Sequence, residues 1–152
     1  IVYNLKKGDK VGLEGPYGLF TLHDTSRKKV FLAGGTGISP ILSMLYELEQ
    51  QKKMQDVLVI YSAKQEEDVL FRKELADFER EGARIVITLT EEAPPSWKGE
   101  TRRIDGAMIT QFVHDPSACD FYMCGSPQMV QSLLQALAAL NVPSEHIHHE
   151  RW

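Results

Sequence analysis

Hydrophobic runs and helical periodicities alternate along most of this chain. Residues 30–34, Val-Phe-Leu-Ala-Gly, are an unbroken apolar or small stretch, the pattern of a strand covered on both faces. A glycine turn follows, and residues 41–48 then carry apolar side chains at helical spacing. Residues 56–62 and 84–90 are two further strand-like runs. Between them a helix is expected from Asp68 as its cap, through Phe71, Leu75 and Phe78, to a stop at Gly82. Asp105 caps a helix predicted over residues 105–113. Residues 120–124 read as a fourth strand, and Met129, Val130, Leu133, Leu134 and Leu137 mark a fourth helix that ends at Asn141-Val142-Pro143. A last strand covers residues 146–150. This order predicts an α/β fold: a five-stranded parallel sheet with helices on both faces, preceded by a short β segment. Ligands of such sheets bind beyond the carboxyl ends of the strands, where the strand order reverses.

The rest of the chain is less regular. Residues 1–22 hold short runs of β character, Lys10-Val11-Gly12-Leu13-Glu14 and Leu19-Phe20-Thr21-Leu22, around the turn cluster Gly15-Pro16-Tyr17-Gly18. Two strands do not make a stable sheet alone, so these are expected to belong to a sheet completed elsewhere. The sequence begins Ile-Val-Tyr without Met, and a piece of a longer polypeptide is expected. The division predicted is residues 1–24 as the end of another domain, 25–29 as linker and 30–152 as the α/β domain. Arg27, Lys28 and Lys29 are expected as a solvated face of that linker. Residues 91–103, with Pro94, Pro95 and Trp97, form a long irregular connection of the kind that is usually functional or mobile.

Composition narrows the function classes. With 152 residues, 43% hydrophobic and 25% charged, the chain is an ordinary globular domain. A net charge of −4 argues against a nucleic-acid partner, whose phosphates demand a basic footprint. No apolar run approaches the roughly 20 residues that span a bilayer. Cys119 and Cys124 stand an odd number of residues apart on one strand, so their side chains point to opposite faces and no disulfide joins them. That fits a reducing, cytoplasmic setting.

The candidate chemistry lies at two glycine turns. Gly34, Gly35, Thr36 and Gly37 are followed by Ile38, Ser39 and Pro40, with Pro40 expected at the first helical position. Glycines let backbone approach a ligand closely, and the unpaired N–H groups at a helix start favour a phosphate. Gly125, Ser126 and Pro127 repeat the arrangement after the fourth strand. The first turn is not the G-x-G-x-x-G dinucleotide signature, because Pro40 replaces the third glycine. Ser62-Ala63-Lys64 also supply no acidic residue after the second strand. Nor is it a P-loop, which ends in Gly-Lys-Ser/Thr. A purely structural turn is the alternative reading. His146, His148 and His149 have no cysteine or carboxylate cluster at ligand spacing, and no metal is expected.

At these residues the sequence resembles the ferredoxin–NADP reductase superfamily of flavin-dependent pyridine-nucleotide oxidoreductases, over nearly its whole length. Residues 34–40 are similar to the family's Gly-Gly-Thr-Gly-Ile-Ser/Ala-Pro motif, which binds the pyrophosphate of the nicotinamide cofactor. Residues 122–129, with Cys124, Gly125, Ser126, Pro127 and Met129, resemble the Cys-Gly-x-x-x-Met motif beside the nicotinamide ring. Residues 15–20 resemble the end of the flavin-binding barrel. Asp68 and Phe71 fall in a segment like the one near the adenosine. Glu150 and Trp152 resemble the Glu-x-aromatic ending whose ring covers the flavin. The resemblance implies catalytic roles for Cys124, Glu150 and Trp152. It implies FAD or FMN in the parent protein, held by a missing N-terminal flavin domain that this chain does not replace. It implies electron transfer onward to an acceptor protein or small molecule. For Cys124 a buried core thiol, and for Met129 a core position, remain open alternatives.

The pyridine nucleotide is expected to be NAD(H) rather than NADP(H). Ser62, Lys64 and Thr90 end the second and third strands, where a 2′-phosphate would be met, and Lys64, Arg102 and Arg103 are the cations available there. Glu91 and Glu92 follow at once and would repel the phosphate. The alternative to an oxidoreductase module is a non-catalytic nucleotide-binding or electron-transfer subunit of a larger complex. An iron–sulfur cluster would need four cysteines, and the chain has two.

Overall fold

The structure, a computed structural model, describes residues 5–12, 14–15 and 18–151. Its strands are β1 (Lys28–Gly34), β2 (Val57–Ala63), β3 (Arg84–Leu89), β4 (Cys119–Gly125) and β5 (Ile147–Arg151). Its helices are α1 (Ile38–Gln50), α2 (Arg72–Arg80), α3 (Gly106–Phe112) and α4 (Pro127–Ala139). The strands form one parallel sheet in the order β3-β2-β1-β4-β5, so the order reverses between β1 and β4.

The sheet separates two apolar layers because alternate strand residues face opposite ways. Phe31, Val59, Tyr61 and Tyr122 pack with Ile41, Leu45 and Leu48 of α1 and Leu75 and Phe78 of α2. Leu32, Ile60, Phe121 and Met123 pack with Met108 and Ile109 of α3 and Leu133 and Leu137 of α4. Cys124 lies in the first layer and Cys119 in the second, and neither is disulfide-bonded.

The helix ends follow the signals in the sequence, with two corrections. Asp105 accepts from the Met108 N–H at 2.7 Å and caps α3, and Ser126 caps α4 with Pro127 in its first turn. Gly82, at φ +112°, ends α2: its N–H and that of Ala83 return to the carbonyls of Glu79 and Phe78. The first correction concerns Pro40, which is the third residue of α1, not the first. The site tolerates it because none of the first four helical N–H groups has an intrahelical acceptor. The second concerns Asp68, which does not cap α2. Its carboxylate closes a separate turn at residues 66–68 by accepting from the Gln65 N–H at 3.2 Å. Helix α2 starts instead after Phe71, which is left-handed at φ +54°.

Among the described residues, none before Lys28 lies in a strand. The β character expected there has no ladder partner among the described residues, and an unpaired segment does not register as a strand. The basic trio is also not a solvated face. Lys28 and Lys29 open β1, Lys29 is buried, and Arg27 is half-buried against Asp120 of β4.

Candidate functional site

The two glycine turns meet at the reversal point. Strand β1 ends at Gly34, residues 35–37 make one tight turn, and α1 begins. Strand β4 ends at Gly125, and α4 begins two residues later. A Cβ at Gly37 would collide with the Cys124 carbonyl and lie 2.9 Å from the Gly125 nitrogen. A Cβ at Gly34 would overlap the Met129 sulfur, and one at Gly125 would sit 2.9 Å from that sulfur and 3.4 Å from the Gly34 nitrogen. The turns are therefore packed backbone against backbone, with the Met129 thioether filling the remaining gap. Gly35 differs. It holds φ +54° and a Cβ there would meet nothing within 4 Å, so it faces open space.

That space is a cleft of about 730 Å³ at the carboxyl ends of the strands. It collects Gly34, Gly35, Thr36, Ser62, Lys64, Asp68, Thr90, Ser126 and Met129, all anticipated as cofactor residues. Gly37 and Ile38 are buried beneath it, supporting the turn. Ser39 is exposed and Pro40 half-buried on the first turn of α1, while Pro127 is exposed at the start of α4; none of the three lines the cleft. Phe71 is exposed beside it, and its neighbour Leu70 supplies the lining instead. Arg103, anticipated as a cation near the 2′-phosphate position, lines the cleft and Arg102 does not; sequence reasoning missed Ala63, Glu67, Leu70, Ile104, Gln128 and Ser132, which arrive by tertiary folding from four separate segments. Only the i, i+3 and i+4 spacing of Gln128 and Ser132 with the cap and Met129 carried a signal.

Two details shape the cleft wall. The Tyr61 hydroxyl, buried under the 66–70 segment, accepts from the Leu70 N–H at 3.3 Å and donates to the Asp68 carbonyl at 3.5 Å. Burial raises its pKa, so it stays a neutral donor. Just after β2, Lys64 pairs with Glu91 at 3.0 Å, both largely exposed.

Of the three residues expected to be catalytic, Cys124 is 1% exposed, its side chain on the α1 face of the sheet. Glu150 is exposed and stands opposite Cys124 in the β4–β5 register. Trp152 lies outside the described residues. His146 contacts the Asp120 carboxylate at 3.1 Å, and His148 stacks between Tyr122 and His23.

A reversal-point cleft floored by two glycine turns and two helix starts defines a nucleotide-binding module of the doubly wound class. The chain belongs to the family of oxidoreductase NAD-binding domains, whose profile matches residues 31–135. It is 31% identical over 153 residues to a component of the Na(+)-translocating NADH-quinone reductase of Pseudomonas aeruginosa, covering 96% of this chain and 38% of that protein. Among solved structures it resembles the cytochrome b5 reductase domain of Ulva prolifera nitrate reductase, with a TM-score of 0.82 and 22% identity over 98% of this chain and 62% of that one. It also resembles a ferredoxin NADP+ reductase from Neisseria gonorrhoeae with bound FAD and NADP, with a TM-score of 0.69 and 28% identity over 82% and 56%. The fold is that of the NAD-binding domains of ferredoxin reductase-like flavoenzymes. The chain spans under two-fifths of the length of the curated relative it matches.

Proposed function

We propose that this chain binds NADH in the cleft and presents it to a flavin, FAD or FMN, carried by a domain preceding it in the full-length protein. The carrying observation is the backbone-to-backbone packing of the Gly34–Gly37 and Gly125 turns, a cleft floor that a side chain at Gly34, Gly37 or Gly125 would force apart. Gly35 and Thr36 line the cleft, and the positive ends of α1 and α4 converge there, which suits a pyrophosphate. The bound nicotinamide supplies the hydride; the protein supplies position. Ser126, Gln128 and Met129 bound the β4 side of the cleft, and Ser62 and Thr90 the far side. Cys124 and Glu150, register partners at the carboxyl ends of β4 and β5, mark where cofactor and flavin would meet. Trp152 would cover the flavin, as the family resemblance implies. Electrons then pass to an acceptor protein or small molecule, in a reducing cytoplasmic compartment that suits the two buried thiols.

The preference for NADH rests on charge. The cations at the cleft are Lys64 and Arg103, and Lys64 is paired with Glu91. Glu67 and Asp68 add two carboxylates. A 2′-phosphate would meet a net negative wall. Calorimetric titration of the chain tests both parts: NADH should bind, and NADPH should bind about tenfold or more weakly. If NADH, NADPH and AMP all fail to bind, the proposal is wrong.

A further inference from the structure

Residues 18–27, which precede β1, lie along the α1 face of β4 and β5. On that face β4 presents Asp120, Tyr122 and Cys124 in succession, from the amino to the carboxyl end. The preceding segment touches this column throughout. The Thr25 hydroxyl donates to Asp120, and the Arg27 guanidinium lies 3.1 Å from the other carboxylate oxygen. The His23 N–H donates to the Tyr122 hydroxyl at 3.0 Å, and the His23 ring stacks on His148 at 4.1 Å. Phe20 packs against Tyr122 at 6.3 Å. Gly18 then reaches Glu150, whose carboxylate would be 3.6 Å from a Cβ placed there.

The anchor of this strap is a buried ion pair. Lys29 and Asp120 are register partners on β1 and β4, 4% and 1% exposed. The Lys29 ammonium reaches Asp120 at 3.1 Å, and its other partners are all in the strap: the Thr25 carbonyl at 3.0 Å, the Thr25 hydroxyl at 2.7 Å and the Arg27 carbonyl at 2.8 Å. A pair serving only the sheet would not spend its donors on a preceding loop. Replacing such a pair with apolar residues is often neutral or stabilising, so the pair is weak evidence of a stability role, and its bonds to Thr25 and Arg27 point to holding the strap.

We propose that Asp120 is a positioning residue for hydride transfer. Together with Lys29 and Tyr122 it clamps the strap along β4, so that the domain preceding it is delivered to the carboxyl end, over Cys124 and Glu150. This inference rests on the reading of the chain as the NADH half of a flavin reductase. A 1 Å misplacement of reacting groups can cost about 100-fold in rate, so a strap fixed at its base matters to a reaction at its far end.

The test uses the flavin-loaded full-length polypeptide carrying Asp120→Asn, Thr25→Val or Tyr122→Phe. Tyr122→Phe removes only the hydroxyl that takes the His23 N–H, and it leaves the ion pair intact should Asp120→Asn fail to fold. Amide hydrogen exchange is read at residues 20–27, and rapid mixing gives the limiting rate of flavin reduction and the apparent Kd for NADH. Exchange in the strap should quicken by about tenfold or more with β1 and β4 amides unchanged. The limiting rate should fall about tenfold in Asp120→Asn and about two- to threefold in the other two, with the NADH Kd within twofold of wild type. Unchanged exchange and unchanged limiting rate in the variants that fold would overturn the clamp. So would a loss confined to NADH affinity. Failure of the wild-type protein to bind NADH or to reduce its flavin would instead sink the functional reading beneath it.

Discussion

The two ends of β1 and β4 solve opposite problems with the same pair of strands. At the carboxyl end Gly34, Gly37 and Gly125 pack through backbone with the Met129 thioether in the gap, and the cleft beyond them is open. At the amino end the space is filled by charge, with Asp120 gripped by Lys29, Arg27, Thr25 and His146. The open end leaves space at the glycine turns. The closed end turns its charges onto the chain itself, with Asp120 paired to residues of the strap, β1 and the turn before β5. The contrast teaches that buried charge in this domain belongs to the attachment of the strap, and that the nucleotide cradle is built from backbone and dipoles.

The largest break in that comparison is Asp120→Ala, which leaves Lys29 buried without its counter-charge. A loss of about 3–5 kcal/mol is expected in urea unfolding, and the double change Lys29→Met with Asp120→Leu should restore most of it. Next is Gly37→Ala, whose methyl group would push against the Cys124 carbonyl and the Gly125 nitrogen, both backbone. It should cost about 1–3 kcal/mol in unfolding and abolish measurable NADH binding by calorimetry. Gly35→Ala sharpens the same point, since its strain of about 1–2 kcal/mol comes from φ alone and not from a clash.

Acid should act on the closed end in two steps. Burial pushes the Asp120 carboxyl up, but the Thr25 hydroxyl, Lys29 and Arg27 outweigh it and hold it below the usual carboxylate range. A carboxylate with a lowered folded pKa contributes stability that is present above its unfolded value of about 3.9 and lost as pH falls through the folded one. His148 has a lowered pKa from burial and from the facing His23, with Tyr122 and Asp120 of β4, His146 and Lys29 around it. Its neutral form is favoured in the fold, so stability declines as pH falls below about 6.5. Thermal unfolding from pH 8 to 2 should show two falls, the first missing in His148→Phe and the second reduced in Asp120→Asn. The smallest effect is at the cleft wall. Glu91→Gln frees an exposed Lys64 and should raise NADPH affinity about two- to fivefold, less at high salt.

Much of this was legible in the chain. The alternation of apolar runs and helical spacing marked all five strands and four helices, and the two Gly-Ser/Thr-Pro regions located the cleft. The caps Asp105 and Ser126 and the stop Gly82 sit where their chemistry places them, because a cap acts within three residues of itself. Asp68 misled for the same local reason: its carboxylate had a nearer N–H to accept from, at Gln65, and closed a different turn.

What the sequence determined by itself are the properties that short stretches of chain set alone: strand burial, helix ends and glycine turns. What only the tertiary structure decided depends on residues far apart in the chain. Arg27-Lys28-Lys29 looks solvated until β4 brings Asp120 beside Lys29. Glu67, Ile104 and Leu70 join the cleft only when the sheet orders its strands, and Gly37 proves tightly packed only against the Cys124 carbonyl. A charge is buried or exposed according to its partner, and no local pattern records where that partner will be.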